Sequence, residues 1–192
     1  MRKSIGYIIV VIGSLSYLIG GSHIVQLKEE MIPIEAEWIL TQDAGNDRVE
    51  LNYASEDRVI FHGYFGLFVY DLNTERITHS MNLKSIGCHF TQGDAYCEVS
   101  VNQEGNIVQL HPMNSDEMYV YDIEKNILKQ MKYEPMKDSF KITPNDNHGE
   151  GFSYETVKFS NGDVGYLRYI DTTLNGLYYI VGDKQYKLFE EQ

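Results

Sequence analysis

The chain is short of proline, cysteine and basic residues, and each shortage excludes a class of protein. Only 4 of its 192 residues are proline, which excludes a proline-rich linker. Basic residues number 16 against 28 acidic ones, so the net charge is -12. A nucleic-acid binder needs a basic surface to meet phosphates, and this charge balance argues against one. The hydrophobic content of 43% is enough for a packed core and excludes a wholly disordered chain.

The sequence also lacks the common catalytic motifs. No histidine begins the His-Glu-x-x-His pattern of zinc peptidases. No serine is followed three residues later by lysine, and Lys-Thr-Gly is absent, so the motifs of penicillin-recognising acylases are missing. There is neither a Gly-x-Ser-x-Gly nucleophile elbow nor a phosphate-binding glycine loop. We therefore predict no enzymatic activity, no cofactor and no metal.

Residues 5–27 carry no Asp, Glu, Lys or Arg, whereas Arg2 and Lys3 precede them. As a helix this apolar run would be about 34 Å long, enough to cross a hydrocarbon core of about 30 Å. Residues 1–27 are thus predicted to be a signal anchor that leaves the N-terminus in the cytoplasm. A cleaved signal peptide and secretion are the alternative, because Gly20, Gly21 and Ser22 are small enough for a cleavage site. Residues 28–192 would then form an extracytoplasmic domain.

Two segments of this domain repeat each other at an offset of 51 residues. Residues 67–77 and 118–128 both show a strand of aromatic and branched residues, a polar turn and a second strand. Asp71 and Asp122 occupy equivalent positions, where a carboxylate can accept backbone N–H groups of the turn. Upstream, His62 and His111 are also equivalent. A weaker third copy follows, so the predicted units span about residues 45–85, 97–133 and 152–190.

A period of about 50 residues with four strands per unit is typical of propeller blades. Because a closed propeller needs about four to eight blades, three units cannot complete one. We predict an all-β fold of about three propeller-blade-like antiparallel sheets, arranged as an incomplete propeller or a sandwich, after an N-terminal apolar helix. Its exposed sheet edges would need a partner or a second copy to cover them.

Two pairs of residues are the candidates for special roles. His62 and His111 either form a paired site on one face of the sheets or close their strands as scaffold residues. Cys88 and Cys97 are the only cysteines, and in an oxidising compartment they are plausible disulfide partners. Free buried thiols, and a metal site that also uses His89, are the alternatives. Such a metal site would have only three ligands and no close Cys-x-x-Cys pair.

Part of the domain resembles a known family. The resemblance covers about residues 49–133 and rests on five segments, which are residues 58–72, 86–88, 91–99, 110–113 and 118–126. Together they resemble the extracytoplasmic C-terminal region of BlaR/MecR-like membrane antirepressor metallopeptidases. That resemblance implies a sensor-like ectodomain in which the paired cysteines are structural. The chain lacks the family's further membrane segments, zinc motif and acylated serine, so no catalytic residue carries over.

These observations favour a non-catalytic, membrane-anchored sensor or partner-binding module. Its partner would be a protein or small molecule outside the cell, with a membrane metallopeptidase as one candidate. Two other functions stay open at this point: a hydrolase whose carboxylates come from separate loops, and a structural surface protein that assembles through its sheet edges.

Overall fold

The structure is a computed structural model that describes residues 30–36, 49–63, 66–89, 96–144, 152–170 and 176–190. The N-terminal apolar helix predicted for residues 1–27 lies outside the described residues. Within the described ranges, no helix has the length and apolar character needed to cross a membrane.

The described residues form three antiparallel sheets, as the sequence predicted for an all-β chain. The first sheet has four strands in consecutive order: β2 (Glu50–Ala54), β3 (Arg58–Gly63), β4 (Gly66–Asp71) and β5 (Arg76–Met81). A short 3₁₀ helix, Leu83–Ile86, follows this sheet.

The second and third sheets each add a two-residue strand to four main strands. The second has the order β1-β9-β8-β7-β6, with β1 (Glu30–Met31), β6 (Cys97–Val101), β7 (Ile107–Pro112), β8 (Glu117–Asp122) and β9 (Ile127–Lys132). The third is in consecutive order: β10 (Thr143–Pro144), β11 (Phe152–Lys158), β12 (Val164–Ile170), β13 (Gly176–Val181) and β14 (Lys184–Glu190).

The repeated turns have the same construction in the first two sheets. Asp71 ends β4, and its Oδ1 accepts the backbone N–H of Thr74 at 2.7 Å. Asp122 ends β8 and accepts the N–H of Lys125 at 3.0 Å. The hydrogen bond from the Thr74 backbone lowers the pKa of the Asp71 carboxyl. A hydrogen bond from the Lys125 side chain lowers the pKa of the Asp122 carboxyl. Both aspartates therefore hold a turn, as their spacing predicts.

The first sheet lies between the other two, and alternation along its strands separates two cores. Val59 and Phe61 belong to the core shared with the third sheet, where the Phe61 and Phe189 ring centroids are 5.7 Å apart. Ile60 and Val69 belong to the core shared with the second sheet. Successive side chains point to opposite faces of a strand, so a strand buried on both faces reads as a continuous apolar run. This explains why β3 and β4 are almost wholly buried.

The segment between the second and third sheets connects their edges. Phe140 donates its backbone N–H to the carbonyl of Val101 at 2.6 Å, and Asn102 forms an isolated β-bridge with Ser139. The chain then continues into β10, which pairs with β11. The described strands nevertheless form neither a closed barrel nor a closed propeller; they form a stack in the order third, first, second.

Candidate functional site

The three sheets are stacked in the same sense, so that one face of the second sheet is covered by no other sheet of the described residues. In the first sheet, Ile60 faces the second sheet. His62 lies two residues further along β3 and therefore on the same side of the strand. In the second sheet, the inward side of β7 carries Val108 and Leu110, which correspond to Val59 and Phe61. The opposite side of β7 therefore lies on the outer face of the second sheet. The equivalent face of the first sheet is the one that is buried against the second sheet.

Two substitutions between the repeats make this outer face polar. Tyr53 pairs with Ile60 in the first sheet, and both are buried against the second sheet. The corresponding cross-strand pair in the second sheet is Ser100 and Gln109. The smaller serine and the polar glutamine suit a solvent-facing surface, where Tyr and Ile would leave a large apolar patch.

A cavity of about 110 Å³ lies on this outer face. Its floor is formed by β6 and β7, and its wall by the segment that follows β9. The lining residues are Glu98, Ser100, Gln109, His111, Tyr133, Pro135, Met136 and Ser139. Gln109 fixes part of the wall, because its Nε2 donates to the carbonyl of Glu134 at 3.3 Å.

His111 is held firmly in the cavity. Its Nε2 lies 2.9 Å from the carbonyl oxygen of Ser115, and its ring stacks on Tyr133 with centroids 3.6 Å apart and an interplanar angle of 12°. A carbonyl oxygen can only accept, so Nε2 carries the hydrogen. The other nitrogen, Nδ1, is buried without a hydrogen-bond partner and lies 4.0 Å from Oε2 of Glu98. That separation is too long for a direct hydrogen bond.

The equivalent histidine in the first sheet has a different environment. His62 is fully buried, and its Nδ1 lies 2.8 Å from Oδ1 of Asn52. Burial lowers the pKa of His62 to about 4, even though the Glu50 carboxylate lies 4.0 Å from Nε2. The ring is therefore neutral at pH 7 and acts as a core residue.

The two histidines are equivalent but do not form a joint site. Glu50 faces His62 across one hairpin, and Glu98 faces His111 across the other. His62 lies between the first and second sheets, whereas His111 lies on the far side of the second sheet. The structure therefore brings each histidine to a glutamate, and does not bring the histidines together.

The two cysteines lie in the core between the first and second sheets. Cys88 follows the 3₁₀ helix and donates its backbone N–H to Leu83, while Cys97 begins β6. Both are free thiols in the structure, so the disulfide stays a prediction. Their side chains are close enough to form a hydrogen bond. This bond, together with burial, raises the pKa of the Cys97 thiol.

The metal alternative for the cysteines is not realised in the described part of the chain. There, no three or more His, Cys, Asp or Glu side chains come together as metal ligands, and this includes Cys88, His89 and Cys97.

Several residues of the cavity were not identified from the sequence. Glu98 could have been found, because a glutamate precedes the histidine on the neighbouring strand in both repeats. Tyr133 gives no such signal, since it comes from the segment after β9 and reaches His111 only through the fold.

No protein-family model matches the chain, and a search of curated proteins found no match either.

Proposed function

We propose that this chain is a non-catalytic, membrane-anchored recognition module whose extracytoplasmic sheets bind a partner or ligand. The observation that carries the proposal is the outer face of the second sheet. It occupies the position where a further sheet would pack, yet it presents a polar cavity with a half-buried histidine. A surface of this kind is suited to selective binding, because it combines apolar walls with a few positioned polar groups.

The directional stack supports an incomplete-propeller interpretation of the repeats. The first main strands of the three sheets lie near one another, since β2 contacts both β6 and β11. Propeller blades meet in this way at their innermost strands. The described residues build a stack of three sheets, and the outer faces of its two end sheets would be the surfaces that another molecule contacts.

The resemblance to the antirepressor metallopeptidases supports a more specific assignment. In this proposal the chain acts as an accessory sensor that contacts a separately encoded membrane peptidase. The acidic domain contributes no nucleic-acid surface and sits outside the cell, held by residues 1–27.

Site-specific photocross-linking in intact cells tests the proposal. A photoreactive phenylalanine analogue would replace Met131, which is on the outer face of the second sheet and is 43% exposed. The matched control replaces Glu124, an exposed residue in the β8–β9 turn of the same sheet. We expect a discrete cross-linked product with a membrane protein from position 131 and none from position 124. The absence of any product at 131, or equal products at both positions, would contradict the proposal.

A further inference from the structure

The geometry at His111 leaves two hydrogen-bond acceptors facing each other. Because Nε2 carries the hydrogen that binds Ser115, the neutral ring presents a lone pair at Nδ1. The neighbouring Oε2 of Glu98 is also an acceptor, and the two atoms are 4.0 Å apart. Nδ1 is buried without a hydrogen-bond partner, and unlike the enclosed His62 it lines a cavity that a donor can enter. A donor placed between the two atoms would satisfy both acceptors.

The 4.0 Å separation selects the kind of donor. A zinc ion bonds to nitrogen and oxygen ligands at about 2.0–2.2 Å, so it would have to lie almost on the straight line between the two atoms. Its tetrahedral geometry forbids that. An ammonium nitrogen at about 2.8–2.9 Å from each atom forms a bent arrangement, which its N–H groups can satisfy.

The surrounding groups fit a cation with a short apolar tail. Glu98 supplies a carboxylate that is 53% exposed, and the whole chain carries a net charge of -12, which attracts cations. Tyr133, Pro135 and Met136 provide an apolar wall beside it. A cavity of about 110 Å³ has room for a chain of a few carbon atoms.

We propose that this cavity binds a primary ammonium group between Nδ1 of His111 and Oε2 of Glu98, with the attached carbon chain against Tyr133 and Met136. The ammonium can belong to a small alkylamine or to the N-terminus of a peptide. This inference rests on the proposed recognition function and names the class of ligand that it would detect.

Ligand titration of the full-length chain, followed by the ¹⁵N signals of histidine rings, tests the proposal. Loss of a ring signal in His111→Gln assigns His111. At pH 8 we expect the Nε2–H tautomer in the free protein. Butylammonium and alanine amide should each be tried, because the tighter of the two distinguishes an alkylamine from a peptide N-terminus. At least one should shift the Nδ1 signal saturably, and butyrate should not.

Two variants with the same change in charge separate site binding from general attraction. Glu98→Gln should weaken amine binding at least tenfold, whereas Glu124→Gln, on an exposed turn, should leave it unchanged. Circular dichroism checks that both variants keep their strands. An Nδ1–H tautomer, equal affinity in Glu98→Gln, or a response to Zn²⁺ but to neither amine would overturn the proposal. These results are independent of the cross-linking at position 131, so the amine site and the partner-binding function can fail separately.

Discussion

The buried His62 makes stability depend on pH in a way that can be measured. Its pKa is about 4 in the folded chain and 6.5 when unperturbed. A base with a lowered pKa takes up its proton more readily in the unfolded state. Its contribution to stability is therefore complete above pH 6.5 and is lost as the pH falls from 6.5 towards 4.

The size of this loss follows from the shift in pKa. Each pKa unit corresponds to about 1.4 kcal/mol, so the full difference amounts to roughly 3 kcal/mol at pH 4. Between pH 7 and pH 5 the free energy of unfolding should fall by about 2 kcal/mol through this one residue. Such a loss is a considerable part of the stability of a typical domain.

Urea unfolding at pH 7, 6 and 5, followed by circular dichroism, measures this loss. His62→Gln removes the titrating ring, so the variant should lose about 2 kcal/mol less than the wild type between pH 7 and pH 5. His79→Gln is the comparison variant, because burial also lowers the pKa of His79 but its ring is only partly buried, so this variant should recover less of the loss than His62→Gln. If the wild type and His62→Gln lose stability in parallel, His62 is not a buried neutral ring and the argument is wrong.

Two further predictions concern the core between the first and second sheets. Gly105 has a φ of +68°, and a Cβ there would lie 2.4 Å from the Tyr53 ring, so Gly105→Ala should cost about 2–4 kcal/mol in urea unfolding. Gly87 has a similar φ of +73°, but a Cβ there would meet no atom within 4 Å, so Gly87→Ala should cost only about 1 kcal/mol. Equal costs for the two variants would show that Tyr53 does not contact residue 105. Produced in an oxidising compartment, the chain should form the Cys88–Cys97 disulfide, which intact mass without reductant detects as the loss of two hydrogen atoms. An intact mass without this loss, or alkylation of both thiols in the unfolded, non-reduced protein, would refute it.

The sequence was sufficient for those parts of the fold that depend on neighbouring residues. The repeated strands of aromatic and branched residues and the aspartate that ends each of β4 and β8 are local signals, and they led to three antiparallel sheets. The order of the sheets could not be predicted in the same way. Stacking depends on which apolar faces match, and all three units offer similar apolar strands.

The candidate site illustrates the same division. His111 was identified because it repeats His62, but one wall of its cavity comes from the segment after β9. Tyr133 reaches it from the segment after β9, and the role of Gln109 depends on the second sheet being at the end of the stack. Once that position is known, the difference between Gln109 and its equivalent Ile60 is explained. Gln109 lies on an outer face, whereas Ile60 is buried between two sheets.

The repeated glutamate–histidine pair has a different environment in each repeat, and position in the stack explains the difference. Both pairs have their closest nitrogen–oxygen approach at 4.0 Å. Between two sheets, His62 is enclosed and held neutral by the cost of burying its charge. On the end sheet no further sheet formed by the described residues covers His111, and Ser100 replaces the bulk of Tyr53 beside it. A pair that is enclosed in the core in one repeat therefore lines a cavity in the next, which is why the proposed amine site lies at the end of the stack rather than within it.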